Sequence, residues 1–461
     1  MEELAQIAIE AALKEGVSFA DIRIEDTREA RFEITDGITK QSVDSHSKGA
    51  GIRAFVKGAW AFAQTTDLTA KGMRVTAKSV ARMALATKDR VAEKFDIDGP
   101  AFQHKVRLRV KRPLGDVTAE EKIGFAKQID DQARAHDKRI ANTRTIYGDT
   151  QTDLYIASSL GTSVWMVHLV PRIISIVTAK EGTNRQRAFL SVGGRGGYEL
   201  MEEERSQILG RKAAERAVEL LSSVAIKGGK YDVIMDPILN GVMCHEAFGH
   251  AAEADSWTAG TTCLEGKFGE AVGPDNLSIV DDPTMPGMRG SFEYDWEGTR
   301  ARKRYLVKDG ILNELLQNLE TSSRLGHELN GAGRAQSFRF PPIPRMSNTF
   351  MEPRDWDVDE LIADTKEGVL LCSFNYGYTN SAKGQFMFQA SHGYLIEKGE
   401  KTQMVRDCSL AGLILEFLPK VDAIGKDFEM DSGTCGKDSQ YVPDMSGGPH
   451  ARARDVPIGG Q

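Results

Sequence analysis

Residues 231–250 read YDVIMDPILNGVMCHEAFGH. The opening YDVIM is a short apolar run of strand type. Asp236–Pro237 then marks a helix start, because Asp accepts free N–H groups as N-cap and Pro suits the first helical position. The helix carries His245-Glu246-Ala247-Phe248-Gly249-His250, two imidazoles around a carboxylate. A hydrolytic zinc needs two or three nitrogen or thiolate ligands, an open position for water and a nearby base. In the familiar HExxH form the histidines lie four apart on one face. Here they lie five apart, which in a regular helix separates them by roughly 140° instead of roughly 40°. A single-turn π-bulge absorbs the extra residue, and Gly249 is a suitable place for it. Two readings stay open on these residues. Either the helix is locally wide and holds a metal, or its histidines are merely exposed or hydrogen-bonded.

A third ligand must come from elsewhere. Glu253, three residues beyond His250, could share its face, although a solvated helix charge is the favoured reading. Cys244 projects roughly 100° away from His245 and reads as packed. Cys372, in VLLCSF, reads as a core strand thiol. Cys408 has no special surroundings, and Cys263 lies in a Gly-rich stretch as a weak candidate. Cys435 sits in SGTCGK between Gly433 and Gly436, which let the backbone approach a site, and Lys437 could help keep a thiolate. It is the best thiol candidate.

Around this motif the composition is lopsided. The chain has 461 residues and a net charge of −7. Of its 45 Gly, 28 follow Lys227, as do 12 of its 15 Pro and all five Cys. The second half therefore needs sharp turns and left-handed backbone, and holds every thiol. An odd number of irregularly spaced cysteines argues against a disulfide framework. The N-terminus, with four Glu against one Lys in residues 1–16, reads as a folded helix and not an export signal. No apolar run is long enough to span a bilayer. A cytoplasmic location is expected, with no membrane partner. Basic runs such as Lys105–Arg112 are short in a mildly acidic chain, so no nucleic-acid partner is expected.

At about 150 residues per unit, the length suggests about three domain-sized units. Apolar spacing predicts a helix over 2–15, strands and hairpins over 21–64, and a helix capped by Thr66 or Asp67 running to about Ala86. An acidic linker near 88–103 precedes the strand-like VRLRVKR of 106–112. Thr118, with Glu121 three residues on, signals a helix to about His136. Strands over 139–192 and a long helix over about 201–222 complete the first half. The expected class is α+β. Two mixed α/β blocks, 1–87 and 104–225, precede a large strand-rich C-terminal domain, 228–461, with one metal-binding helix.

HEAFGH, followed by VDDPTMPGMRGSFEYDWEG, NGAGRAQSFRFPPIPRMSNTFM, KGQFMFQASHGYLIEKGE and GTCGKDSQ, resembles the TldD/PmbA family. The N-terminal GVSFADIRIED and GAGIRAFVKGAWAFA carry the same likeness, so nearly the whole chain is covered. The resemblance implies a zinc-dependent metalloprotease. His245 and His250 match the zinc-binding histidines, Glu246 the catalytic glutamate, and Cys435 the third protein ligand. It implies peptides or unfolded segments as substrates, reaching a metal enclosed in a dimer. The partner is a TldE/PmbA-like paralogue, which lacks the HExxxH motif, or a second copy. One departure is visible: Ser439 stands where the family commonly has Gly before the Gln of C-G-K-x-G-Q.

The expected chemistry is attack of a zinc-bound water on a peptide carbonyl, with Glu246 as general base. His392, Tyr394 and Arg334 are candidates for a second oxyanion donor. Substrate could add as a strand to a sheet edge. The loop 330–346, with Arg334, Arg339 and Arg345, reads either as a cleft wall or as a solvated connector. Two rivals remain. HEAFGH also fits the HExxGH of dipeptidyl peptidase III-like enzymes, which are largely helical. The other is a non-catalytic binding or scaffold subunit with a structural zinc, which a fourth protein ligand would mark.

Overall fold

The computed structural model describes residues 1–460. Its first half is organised by two long antiparallel strands, Phe19–Thr35 and Ile140–Ser158, paired from Asp21↔Ser158 to Thr35↔Arg144. One eight-stranded sheet therefore takes strands from both 1–87 and 104–225. Strand length explains this. Seventeen residues extend about 56 Å at ~3.3 Å each, whereas an 18-residue helix spans about 27 Å. One helix pair cannot cover such a sheet. Glu2–Leu13 and Ala70–Thr87 cover one end, over Ile22, Ile24, Ile52 and Ala54. Ala119–His136 and Leu209–Glu219 cover the other, over Val177, Ala179 and Ala188. The hairpin turns fall on Asp36–Gly37 and Lys57–Gly58, all four residues with positive φ.

Local differences from the expected elements have identifiable causes. The Ala70 helix is capped by Thr69, whose hydroxyl accepts from Gly72 N. Asp67 instead accepts from the backbone and hydroxyl of Thr69, closing the preceding turn. Residues 106–110 form no strand. Leu108 and Val110 pack on the Phe125–Tyr147 core and Val106 on the neighbouring one, so their alternation reports facing and not pairing. The expected 201–222 helix is broken at Glu203, which is extended (ψ 146°). The Ser206 hydroxyl and Gln207 amide donate to the carbonyls of Leu200 and Met201, competing with the helical ladder. Thr118 caps its helix as its spacing predicts.

The second half is strand-rich, with an eight-stranded and a six-stranded sheet. Gly229–Met235 runs parallel to Glu367–Asn380 and antiparallel to Ala451–Gly459. It leads directly into the helix Pro237–Val242. That helix and its continuation, Met243–Gly249, lie between the sheets. Leu239, Met243, Cys244, Ala247 and Phe248 share a core with Met351, Val369, Phe388 and Val442. Contact with the hairpin strand Gln440–Gly448 is close: a Cβ on Gly241 would lie 2.1 Å from the Gly447 nitrogen. No helix among the described residues is long and apolar enough to cross a membrane.

Candidate metal centre

Asp236 caps the central helix, its carboxylate accepting from Leu239 N at 2.8 Å, with Pro237 in the first turn. Residues Met243–Gly249 form a π-helix. The wide turn brings His245 and His250 to a ring-centroid separation of 5.3 Å, nearly perpendicular at 86°. Cys435 arrives from the hairpin strand Glu429–Lys437, with its sulfur 3.7 Å from His250 Nε2. Donor atoms of His245, His250 and Cys435 all lie within 4.8 Å of one another.

The donors are prepared for a cation. Among the described residues neither ring nitrogen of the buried His245 has a hydrogen-bond partner, and its Nδ1 lies 3.3 Å from the Asp444 carboxylate. Burial would push the Cys435 thiol up, but the two imidazoles outweigh it and bring it down to about 6. Burial would likewise lower His245, but Cys435 and Asp444 lift it to about 9. A soft thiolate with two imidazoles is a donor set that suits zinc. Orphaned imidazole nitrogens beside a readily ionised thiol therefore fit such an ion.

A second layer fixes these ligands. His250 Nδ1 meets Glu253 Oε2 at 3.0 Å, which leaves Nε2 facing Cys435. Glu253 is buried, not a solvated helix charge, because the chain turns into a 3₁₀ segment at His250–Ala252. Lys437 Nζ lies 3.1 Å from Glu253, 2.7 Å from Asp255 and 3.2 Å from the Pro344 carbonyl. It therefore supports Glu253 instead of the thiolate. Burial raises the Glu253 carboxyl, but Lys437 and His250 hold it at about 2. Glu253 was detectable as the acid three residues from His250. Asp444 had no signal, since its approach depends on hairpin pairing.

The loop 330–346 is neither of the alternatives read from sequence. Arg334 and Arg345 are buried, while Arg339 is exposed and stacks over Phe338. Arg345 donates to the Cys435 carbonyl at 2.6 Å, and Arg334 to those of Met346 and Pro443 at 2.6 and 2.7 Å. Arg334 is thus occupied behind the site. Cys244 and Cys408 are buried, and burial raises both thiols. Cys372 sits in a core strand, and Cys263 packs against the core near Gly384.

Glu246 is the motif's most accessible member, half-buried and 3.8 Å from His250 Nε2. It and His245 open onto a cleft of about 750 Å³. Arg172, Phe189, Ser191, Lys212 and Arg216 line it from the first half, and Ser373, Phe374, His392, Tyr394, Thr434 and Asp444 from the second. His392 and Tyr394 therefore do face the cleft, with the His392 ring bonded to Arg216 at 2.5 Å.

Paired histidines, a thiol and a half-exposed carboxylate beside a cleft are the residue types that a metal-dependent hydrolase uses. Models of the PmbA/TldA metallopeptidase match the chain as domain 1 over 20–84, central domain over 112–221 and C-terminal domain over 228–460. The chain belongs to this metallopeptidase family, the TldD/PmbA family. It is 36 % identical over 452 residues to a metalloprotease of Methanothermobacter thermautotrophicus, covering 97 % of each chain. It is 29 % identical over 453 residues to a zinc metalloprotease TldD homolog of Saccharolobus solfataricus, covering 98 % and 99 %. Its fold matches TldE from Thermococcus kodakarensis with a TM-score of 0.79 at 16 % identity, covering 99 % of each. A Thermotoga maritima structure, described as a candidate modulator of a DNA gyrase, matches with a TM-score of 0.81 at 24 % identity, covering 99 % and 100 %.

Proposed function

We propose that the protein is a zinc-dependent peptidase acting on peptides or unfolded polypeptide segments. The observation that carries this reading is the convergence of His245, His250 and Cys435 beside Glu246 at the cleft. His245, His250 and Cys435 would hold the ion. When bound, zinc supplies Lewis acidity, which polarises a peptide carbonyl and acidifies water. Glu246 takes a proton from the attacking water at its cleft-facing carboxylate and returns it to the leaving amine. Glu253 orients the His250 ring through Nδ1, and Asp444 faces Nδ1 of His245. The cleft, lined from both halves of the molecule, would admit an extended chain. The group of three donors, with no fourth His, Cys, Asp or Glu joining it among the described residues, favours this reading over a structural zinc.

We also infer that the chain works in the cytoplasm as a dimer, with a TldE/PmbA-like paralogue or a second copy. Family membership supports this. The test measures bound zinc and cleavage of unstructured peptides, with and without such a paralogue. Glu246→Gln is expected to retain zinc and lose at least about 100-fold in kcat. Cys435→Ser is expected to lose zinc. Full activity in zinc-loaded Glu246→Gln would remove Glu246 as the base.

A further inference from the structure

Most buried arginines in this protein have an evident partner. Arg53, Arg304 and Arg452 pair with Asp21, Asp281 and Asp422. Arg334 and Arg345 lack a carboxylate, but they are fully enclosed and donate to backbone carbonyls. Arg172 and Arg289 belong to neither group. They come from different halves of the molecule, yet their Nη1 atoms converge on one hydroxyl, Thr434 Oγ1, at 3.5 and 3.4 Å.

Arg172 also donates to the Ser432 carbonyl and, at 3.0 Å, to the Ser191 hydroxyl; Arg289 donates to the Gly433 carbonyl. The Nε of each is buried without a partner among the described residues. Among the described residues no carboxylate hydrogen-bonds to either. Asp431 and Asp444 act on Arg172 only at longer range, as Asp444 does on Arg289. Burial, then the charge of Arg172, lowers Arg289 to about 9. Two like charges held side by side make a poor domain staple. They make a good receptor for an anion, since guanidinium matches a carboxylate with two parallel hydrogen bonds. Both residues are partly exposed, Arg172 lines the cleft with Thr434, Arg289 adjoins it through Thr434, and Thr434 is the chain neighbour of Cys435.

We propose that Arg172 and Arg289 form a carboxylate-recognition subsite of the cleft. It selects peptides that place an acidic group within a residue or two of the scissile bond. That group is either the substrate's free C-terminus or an Asp or Glu side chain. The subsite rests on the peptidase reading above and adds a substrate class to it.

The test uses zinc-loaded Glu246→Gln protein, with its paralogue where the two copurify, and anisotropy of N-terminally dye-labelled peptides. Four peptides of otherwise neutral sequence are compared: free C-terminus, C-terminal amide, amide with one internal Asp, and amide with Asn in its place. At least one carboxylate-bearing peptide is expected to bind at least about tenfold more tightly than its neutral counterpart. Which one gains identifies the source. Adding Arg172→Gln and Arg289→Gln together is expected to cut that preference below about twofold, and Arg289→Lys to keep part of it. Circular dichroism checks folding, and the four-peptide comparison needs no arginine variant. Equal affinity for all four peptides overturns the subsite and leaves the peptidase reading standing. A preference that survives loss of both arginines overturns it too, placing the carboxylate elsewhere. Failure to bind any peptide overturns both readings.

Discussion

Replacing Glu253 by Gln isolates the interaction that orients His250. Glu253 lies 3.0 Å from His250 Nδ1 and 3.1 Å from Lys437, with only 1 % of its side chain exposed. Lys437 and His250 hold its carboxyl at about 2 against the opposing effect of burial, so at neutral pH it is ionised. A hydrogen bond to a charged group contributes about 1.5–3 kcal/mol, and a neutral one about 1 kcal/mol. Gln keeps an acceptor but loses the charge, a difference of about 0.5–2 kcal/mol, or about 2- to 30-fold in zinc affinity. Orienting partners of metal-bound histidines generally contribute about 10–100-fold. Lys437→Met supplies the second leg of the cycle. It leaves Glu253 buried with His250 and the more distant Arg345 opposing its charge, and is expected to destabilise the protein by about 3 kcal/mol. The double variant buries neither charge and should recover part of that loss. Chelator competition gives the zinc dissociation constant, and thermal melting the stability. A Glu253→Gln affinity within twofold of wild type would refute the orienting role. A double variant as unstable as Lys437→Met alone would refute the charge argument.

Two other consequences concern stability. Asp438 and Ser439 form the two-residue turn before Gln440, with φ of 48° and 60°. A left-handed Ser is strained where Gly is not, so Ser439→Gly should stabilise by about 0.5–1 kcal/mol, read as a raised unfolding midpoint; a lowered midpoint would show that Ser439 makes a contact worth more than the strain. Burial, then Arg216, lowers His392 to about 3. The folded state therefore binds fewer protons than the unfolded one, and this stability is present above about pH 6.5 and lost as pH falls toward 3. At pH 5 the loss is about 2 kcal/mol, and His392→Gln should remove it from the denaturation profile. An unchanged pH 5 to 7 difference in the variant would place the acid sensitivity elsewhere.

The central helix was legible because its signals are local. Asp236–Pro237 fixes the start, and five-residue histidine spacing demands a wide turn if the rings are to meet. The structure has both. Cys435 was legible as the thiol between two glycines, though its approach to His250 spans 185 residues of chain and depends on strand pairing that no local pattern encodes. Glu253 was misread for a related reason. A charged residue at the end of a helix is usually solvated, and its burial follows from Lys437, which comes from the hairpin. The two N-terminal blocks were read separately because helix and strand periods are local. Their union in one sheet is a long-range pairing between Phe19–Thr35 and Ile140–Ser158.

Gathering two candidate ligands from a helix and one from a hairpin makes the site depend on how those elements are held together. Three contacts do this, and none involves a ligand side chain. Gly241 lets the helix lie against the backbone of Gly447, on the strand paired to the one bearing Cys435. Arg345 fixes the carbonyl of Cys435 itself, and Arg334 bridges Met346 to Pro443 on the partner strand. Burying two guanidiniums is costly unless their donors are used. Here several are used on backbone carbonyls, so side-chain motion cannot release them. The glycine- and proline-rich composition of the second half follows from the same need. Close backbone approach and irregular loops bring the carbonyls within reach of these arginines. A site assembled this way is positioned by backbone geometry, which leaves Glu246 and the cleft beside it open.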